Sequence, residues 1–243
     1  MTAHPIIVLW TTPRSRSTAF ERMMVERGDH EVFDEPFSTR YYFSSERRSD
    51  RFDEHLPDSD AESTLASLRE AAERGPVFVK DMAYQASGLL TEDVLGSFVN
   101  TFLVREPLAA VSSFARKWPD LTEEEAGYGR LAEAQPVARS LAVSPPPVIE
   151  SDALAADPEG VIAAWCEAVG IDFRPDALSW EPGMIPQWLR WREWYEGVAE
   201  STGFRPPSPD AEPALEDPRL AAIVDRARPV YDELASQRLS PPC

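Results

Sequence analysis

The chain has 243 residues, 43% of them hydrophobic and 27% charged. That is a globular composition, long enough to bury a core without staples. With 24 basic and 42 acidic residues the formal net charge is −18. Such a chain repels phosphate backbones and anionic lipid, so no nucleic acid and no membrane is expected as a partner.

The charge is uneven. Residues 1–52 hold eight Arg and eight acidic residues, and the whole deficit lies in residues 53–243. Only Lys80 and Lys117 are lysines, and arginine is the side chain that grips oxyanions bidentately. Cys166 and Cys243 build neither a disulfide framework nor a paired-Cys zinc site. The opening MTAHPIIVLW does not read as a signal peptide, and no apolar run reaches the roughly 18 residues of a membrane span. The expectation is a reduced, soluble, cytoplasmic protein. We read one domain over 1–243, with a core at 5–171 and a C-terminal helical part at 180–236.

In chain order, Ile6–Trp10 reads as a buried strand and Ser17–Arg27 as a helix with Phe20, Met23, Met24 and Arg27 at helical spacing. Glu31–Phe33 is a short second strand, and Glu62–Arg74 an Ala/Leu/Glu/Arg-rich helix. Val77–Val79 and Thr101–Val104 are the next strands, followed by a helix at Leu108–Lys117. Val148–Ile149 is a fifth strand. Glu159–Val169 is a helix that Gly170 stops. Gln187–Ser201, the proline cluster Pro206–Pro209 and Leu215–Ser236 read as helix, loop, helix. Strands alternating with helices predict an α/β fold of three layers: a parallel sheet of about five strands, covered on both faces.

Ligands in such sheets bind outside the carboxyl ends of the strands. Charged and hydroxyl groups follow four of the five: Thr11–Thr18, Asp34-Glu35-Pro36, Lys80-Asp81 and Arg105-Glu106. The first loop opens a helix, whose N-terminus favours anions. It carries Thr12, Ser15, Ser17 and Thr18 with Arg14 and Arg16, and no acid lies between His4 and Glu21. This is an anion cradle. There is no Gly between Met1 and Glu26 and no Lys before Lys80, so an ordinary triphosphate P-loop is disfavoured. Gly127-Tyr128-Gly129 sits in a helical, acidic stretch and reads as no dinucleotide loop.

These residues resemble the sulfotransferases that use PAPS, 3′-phosphoadenosine 5′-phosphosulfate. The family's P-[KR]-S-G-[ST]-[ST] loop is similar to Pro13-Arg14-Ser15-Arg16-Ser17-Thr18, with Arg16 where Gly is usual. Its 3′-phosphate pair, an Arg after a strand and a Ser eight residues on, is similar to Arg105 and Ser113. Ile149-Glu150, Leu154, Asp157-Pro158 and Gly170 also follow the family's pattern. A bacterial subgroup shares the Asp-Glu-Pro and Lys-Asp pieces. Two features depart from many cytosolic members: Lys80-Asp81-Met82 stands where a catalytic His is usual, and the C-terminal Arg-Lys-Gly motif is missing. Ser201–Arg205, or Arg190 and Arg192, are its possible replacements.

The resemblance implies a P-loop-like phosphosulfate loop, PAPS as cofactor and a small-molecule acceptor. It places Arg14, Ser15, Arg16, Ser17 and Thr18 on the 5′-phosphosulfate, with Arg14 steadying the leaving oxygen, and Arg105 and Ser113 on the 3′-phosphate. None of His4, His30 and His55 follows a strand at the rim, so the general base is expected to be a carboxylate. Glu35 is the first candidate, its direction set by Pro36, with its strand taken to neighbour the cradle. Asp81 is the second candidate, and Lys80 is a sulfuryl contact or an ion pair of Asp34. No metal is expected. Arg40-Tyr41-Tyr42-Phe43 is a candidate lining of the acceptor pocket, and the aromatic stretch Trp180–Tyr195 is either core or a cover for adenine or an apolar acceptor. A kinase using ATP and a non-catalytic PAP or anion binder remain alternatives.

Overall fold

The computed structural model describes residues 3–206 and 215–240. Cys243 and most of the proline cluster Pro206–Pro209 lie outside the described residues.

The sheet holds β1 (Ile6–Thr11), β2 (Glu31–Asp34), β3 (Val77–Met82), β4 (Val99–Val104) and β5 (Val148–Glu150). They lie in the order β2-β3-β1-β4-β5, and every pairing is parallel. β1 shows why the sheet is covered twice. Ile6, Val8 and Trp10 enter one buried apolar cluster, and Ile7 and Leu9 enter the other, as the two-residue period of a strand requires. On the Ile7 face pack α1 (Ser17–Arg27) and α9 (Pro158–Val169), through Phe20, Met23 and Trp165. On the other face pack α2 (Pro36–Phe43), α3 (Ala61–Arg74), α5 (Pro107–Ala115), α7 (Tyr128–Leu141) and α11 (Pro218–Ser236). The remaining helices are short: α4 (Glu92–Leu95), α6 (Glu123–Ala126), α8 (Ser151–Ala156) and α10 (Arg192–Ala199).

Three expectations change. β3 runs on to Met82, so Lys80 and Asp81 stand inside the strand rather than after it. Their backbone groups stay in the ladder, opposite Leu9 and Trp10. β2 is an edge strand separated from β1 by β3, so it does not neighbour the cradle. The helix read over Gln187–Ser201 breaks into a 3-10 turn, Pro186–Trp188, and α10. No described helix is long and apolar enough to cross a membrane.

Candidate active site

β1 sits mid-sheet with its crossovers leaving to both sides, and the loop after it opens into a cleft. In that loop Arg14 and Arg16 hold φ of 61° and 68°. This left-handed conformation costs an L side chain about 1–2 kcal/mol. The family's usual Gly adopts it freely. Arg16 is the N-cap position of α1 and gives it no side-chain cap. No side chain caps the first turn of α1, whose Ser17, Thr18 and Ala19 line the cleft, an arrangement that an anion can complete. The guanidinium of Arg16 leans away, onto Ser151 Oγ at 2.8 Å and Asp152 Oδ1 at 2.7 Å. Ser15 is turned inward and donates to the Thr12 carbonyl at 2.7 Å.

Arg14, Arg105 and Ser113 form one group. Arg14 Nε donates to Ser113 Oγ at 3.0 Å, and Arg105 donates to the Arg14 carbonyl at 2.8 Å. Burial, then the nearby Arg105 and Arg116, hold the Arg14 guanidinium below the ordinary arginine value, so negative charge is favoured beside it. Two residues from the dismissed Gly-Tyr-Gly stretch support this group. Tyr128 Oη donates to the Arg105 carbonyl at 2.5 Å. Gly127, at φ 84°, packs so close that a Cβ there would lie 3.3 Å from Pro13. The sequence pattern carried no signal for either contact, and Gly127 and Pro13 lie more than a hundred residues apart.

The other half of the cleft is built on Glu35. Pro36 does not extend it: Glu35 takes φ 45°, ψ 53°. Its N–H donates to the Lys80 carbonyl at 2.7 Å, so the chain is still tied to β3 where it must turn into α2. That turn carries the carboxylate from an edge strand over β3 to the cleft. Lys80, fully buried, donates to Asp34 Oδ1 at 2.5 Å, Glu35 Oε1 at 2.7 Å and Tyr195 Oη at 3.1 Å. Glu21 Oε2 lies 3.4 Å from the same ammonium. Tyr195 Oη lies 2.9 Å from Asp34 Oδ1 and 3.0 Å from Glu35 Oε1, so its one proton serves both carboxylates. Glu35 Oε2 accepts from Gln85 Nε2 at 2.9 Å. That bond fixes which end of the Gln85 amide is nitrogen.

Four buried carboxylates thus crowd one ammonium. Burial works against the Lys80 charge, but Asp34, Glu35 and Glu21 together hold it well above the ordinary lysine value. Burial, then Asp34, pushes Glu21 well up. Burial lifts Asp34 to about 6 against the pull of Lys80. Asp81 is pushed well up by burial, then by Glu35. Its Oδ2 accepts the Phe37 N–H at 2.8 Å, supplying the cap that α2 lacks from its own N-cap residue.

Arg14, Arg16, Ser17, Thr18, Glu35 and Arg105 all line the one cleft. Ser15, Lys80, Asp81 and Ser113 do not; they stand behind its wall. Lys80 makes the ion pair with Asp34, and Asp81 caps α2. Ser201, Gly203, Phe204 and Arg205 line the cleft, whereas Arg190 and Arg192 face a separate surface depression. Of the aromatic candidates, Tyr42, Trp191, Trp194 and Tyr195 reach the cleft. Trp188 is core and donates to Glu21 Oε1 at 3.2 Å. Glu21 and Gln85 had no motif to mark them, and Tyr195 was marked only as part of an aromatic stretch; packing brings Gln85 and Tyr195 to Glu35 and Glu21 to Lys80.

Two curated Arabidopsis thaliana proteins, branched-chain-amino-acid aminotransferase-like proteins 2 and 1, are 28% and 29% identical to this chain over 94% and 95% of it. The match takes in 41% and 42% of their own lengths, so the chain spans about two fifths of these relatives. The sulfotransferase domain of the Synechococcus PCC 7002 olefin synthase shares the fold: TM-score 0.50, 17% identity, 93% of this chain and 95% of that one covered. Residues 6–237 match the family described as sulfotransferase domain, and the chain belongs to that family.

Proposed function

We propose that this chain transfers a sulfuryl group from PAPS to a hydroxyl or amine of a small-molecule acceptor. The observation that carries this reading is the single cleft that runs from the cationic β1 loop to Glu35. The donor set at one end suits a polyanion with two separate phosphate groups: uncapped helix amides with Ser17 and Thr18, and the Arg14–Arg105–Ser113 group. When bound, PAPS supplies an activated sulfuryl group.

The chain's own residues do the rest. Arg14, Ser17, Thr18 and the α1 amides hold the phosphosulfate, and Arg14 steadies charge on the leaving oxygen. Arg105 holds the 3′-phosphate, and Ser113, behind the wall, positions Arg14 through its bond to Nε. Arg205, on the same wall, completes the anion site. Glu35 takes the acceptor's proton. Its Oε1 is occupied by Lys80 and Tyr195, while Oε2 has one partner, Gln85. Oε2 therefore has a lone pair for the acceptor. Lys80, Tyr195 and Gln85 position the carboxylate, and Asp81 positions the helix behind it.

Mass spectrometry of a metabolite pool incubated with the protein and PAPS tests this. A species heavier by one sulfuryl group, absent without protein, is expected. PAP should raise the melting temperature far more than ATP does, by about 2.7 kcal/mol of added stability at a hundredfold excess over Kd. Equal shifts with the two nucleotides would refute the 3′-phosphate assignment. PAP binding with no sulfated product from any pool would leave a nucleotide binder.

A further inference from the structure

One cation of the β1 loop is bound to a carboxylate from a distant part of the chain. Arg16 lines the cleft beside Arg14, Ser17 and Thr18. Its backbone is held at φ 68°, a conformation that persists in an L residue only where the surroundings impose it. The guanidinium is turned to the start of α8. All three of its bonds leave from Nη1: to Ser151 Oγ at 2.8 Å, to the Ser151 carbonyl at 3.4 Å and to Asp152 Oδ1 at 2.7 Å. Nε and Nη2, an edge that can grip an oxyanion in bidentate fashion, carry no hydrogen bond among the described residues.

The loop has no acid of its own between His4 and Glu21. Asp152, which meets it, comes from 136 positions along the chain. The pair is not sealed: 18% of the Arg16 side chain and 47% of the Asp152 side chain are exposed. Asp152 uses its backbone N–H on Glu150 Oε2 at 2.9 Å, and its carboxylate bonds only Arg16 among the described residues. A carboxylate so exposed loses little when its partner leaves, because water replaces the guanidinium. An anion at the start of α1, more enclosed and beside Arg14, gains more from the same guanidinium.

We propose that Asp152 is a positioning residue of the donor site: it competes with the donor's 5′-phosphate group for the guanidinium of Arg16 and thereby sets how tightly nucleotide is held. The proposal rests on the donor reading above and adds to it a residue that touches no ligand. Competition of this kind has a signature. Removing the Asp152 charge frees Arg16, so affinity rises for a ligand that carries a 5′-phosphate, and only while Arg16 is present. A residue that merely props α8 would alter every nucleotide alike.

Calorimetry on the full chain tests this with PAP, adenosine 5′-monophosphate and adenosine 3′-monophosphate. Asp152→Asn should bind the first two about threefold to fivefold more tightly than wild type, and the third equally. Arg16→Gly should bind PAP and the 5′-monophosphate at least about tenfold more weakly. Arg16→Met, which keeps the length and loses the charge, repeats that arm without altering the loop backbone's freedom. In either Arg16 background, adding Asp152→Asn should change PAP affinity by less than a factor of about two, because two residues that act through one contact are not additive. An unchanged or weaker PAP affinity in Asp152→Asn would overturn the proposal. So would a gain that persists without Arg16, or one that the 3′-monophosphate shares in full. The donor reading fails separately: a wild type that prefers ATP to PAP counts against that reading, while the same variants run with the 5′-monophosphate still decide this one.

Discussion

Replacing Glu35 by Gln removes the proton acceptor and little else. In the wild type, Oε1 receives Lys80 at 2.7 Å and Tyr195 at 3.0 Å, and Oε2 receives Gln85 at 2.9 Å. The new amide oxygen can keep Lys80 and Tyr195. Its NH2 then faces the Gln85 side chain, whose own oxygen is buried without a partner. Turning that amide over gives an N–H to oxygen pair again, with the Gln85 NH2 moved to the place where its oxygen had no partner. Losing one negative charge from a cluster of four carboxylates and one ammonium also relieves Glu21, Asp34 and Asp81, each of which Glu35 pushes upward.

The folded protein should therefore be nearly as stable as wild type. PAP affinity should stay within a factor of two or so, because the donor groups lie at the other end of the cleft. Turnover should fall by about 10²–10⁴, which is roughly 3–5 kcal/mol of barrier. The assay is sulfuryl transfer from PAPS to the acceptor identified by mass spectrometry, alongside PAP calorimetry on the same preparations. Asp81→Asn is the control. Burial, then Glu35, pushes the Asp81 carboxyl well up, and Asn retains an oxygen for the Phe37 N–H; rate and stability should both hold. A wild-type rate in Glu35→Gln would refute the base assignment. A crippled Asp81→Asn beside an active Glu35→Gln would move the base to β3.

Arg105→Ala should weaken PAP binding by roughly 1.5–3 kcal/mol, read by calorimetry; an unchanged affinity would show that the 3′-phosphate lies elsewhere. Arg16→Gly removes a left-handed strain of about 1–2 kcal/mol along with a partly exposed ion pair to Asp152 worth about 0–1 kcal/mol. Stability should hold or rise slightly, and a loss of several degrees in Tm would contradict the strain argument. Asp34 gives a pH signature: its folded value is near 6 against 3.8 for the free side chain. The folded state therefore binds the proton more tightly, and this contribution is fully present below about pH 4 and lost as pH rises to about 6. Denaturant midpoints across that range should fall with pH, and Asp34→Asn should flatten the fall. A rise that Asp34→Asn leaves untouched would refute the assignment.

The sequence by itself determined the sheet and the cradle. Short apolar strands alternating with amphipathic helices leave a parallel sheet with two covers as the way to bury both faces of β1. A loop with four hydroxyls, two arginines and no acid at a helix start is an anion site wherever it falls. These signals are local, carried by residues within one turn or one strand of each other. The strand order was not local, and neither was anything that depends on it. That β3 lies between β1 and β2, and that Lys80 and Asp81 stay inside the ladder, follows from the competition among strands for neighbours. The left-handed turn at Glu35, against the bias of Pro36, is imposed by its bond to the Lys80 carbonyl. Gln85 after β3 and Tyr195 on α10 meet at the Glu35 carboxylate, and Glu21 on α1 at the Lys80 ammonium, across up to 160 positions of chain. No spacing rule spans that distance. Tertiary packing chose them, because a buried ammonium and its carboxylates must find partners among whatever side chains the closed fold brings within reach.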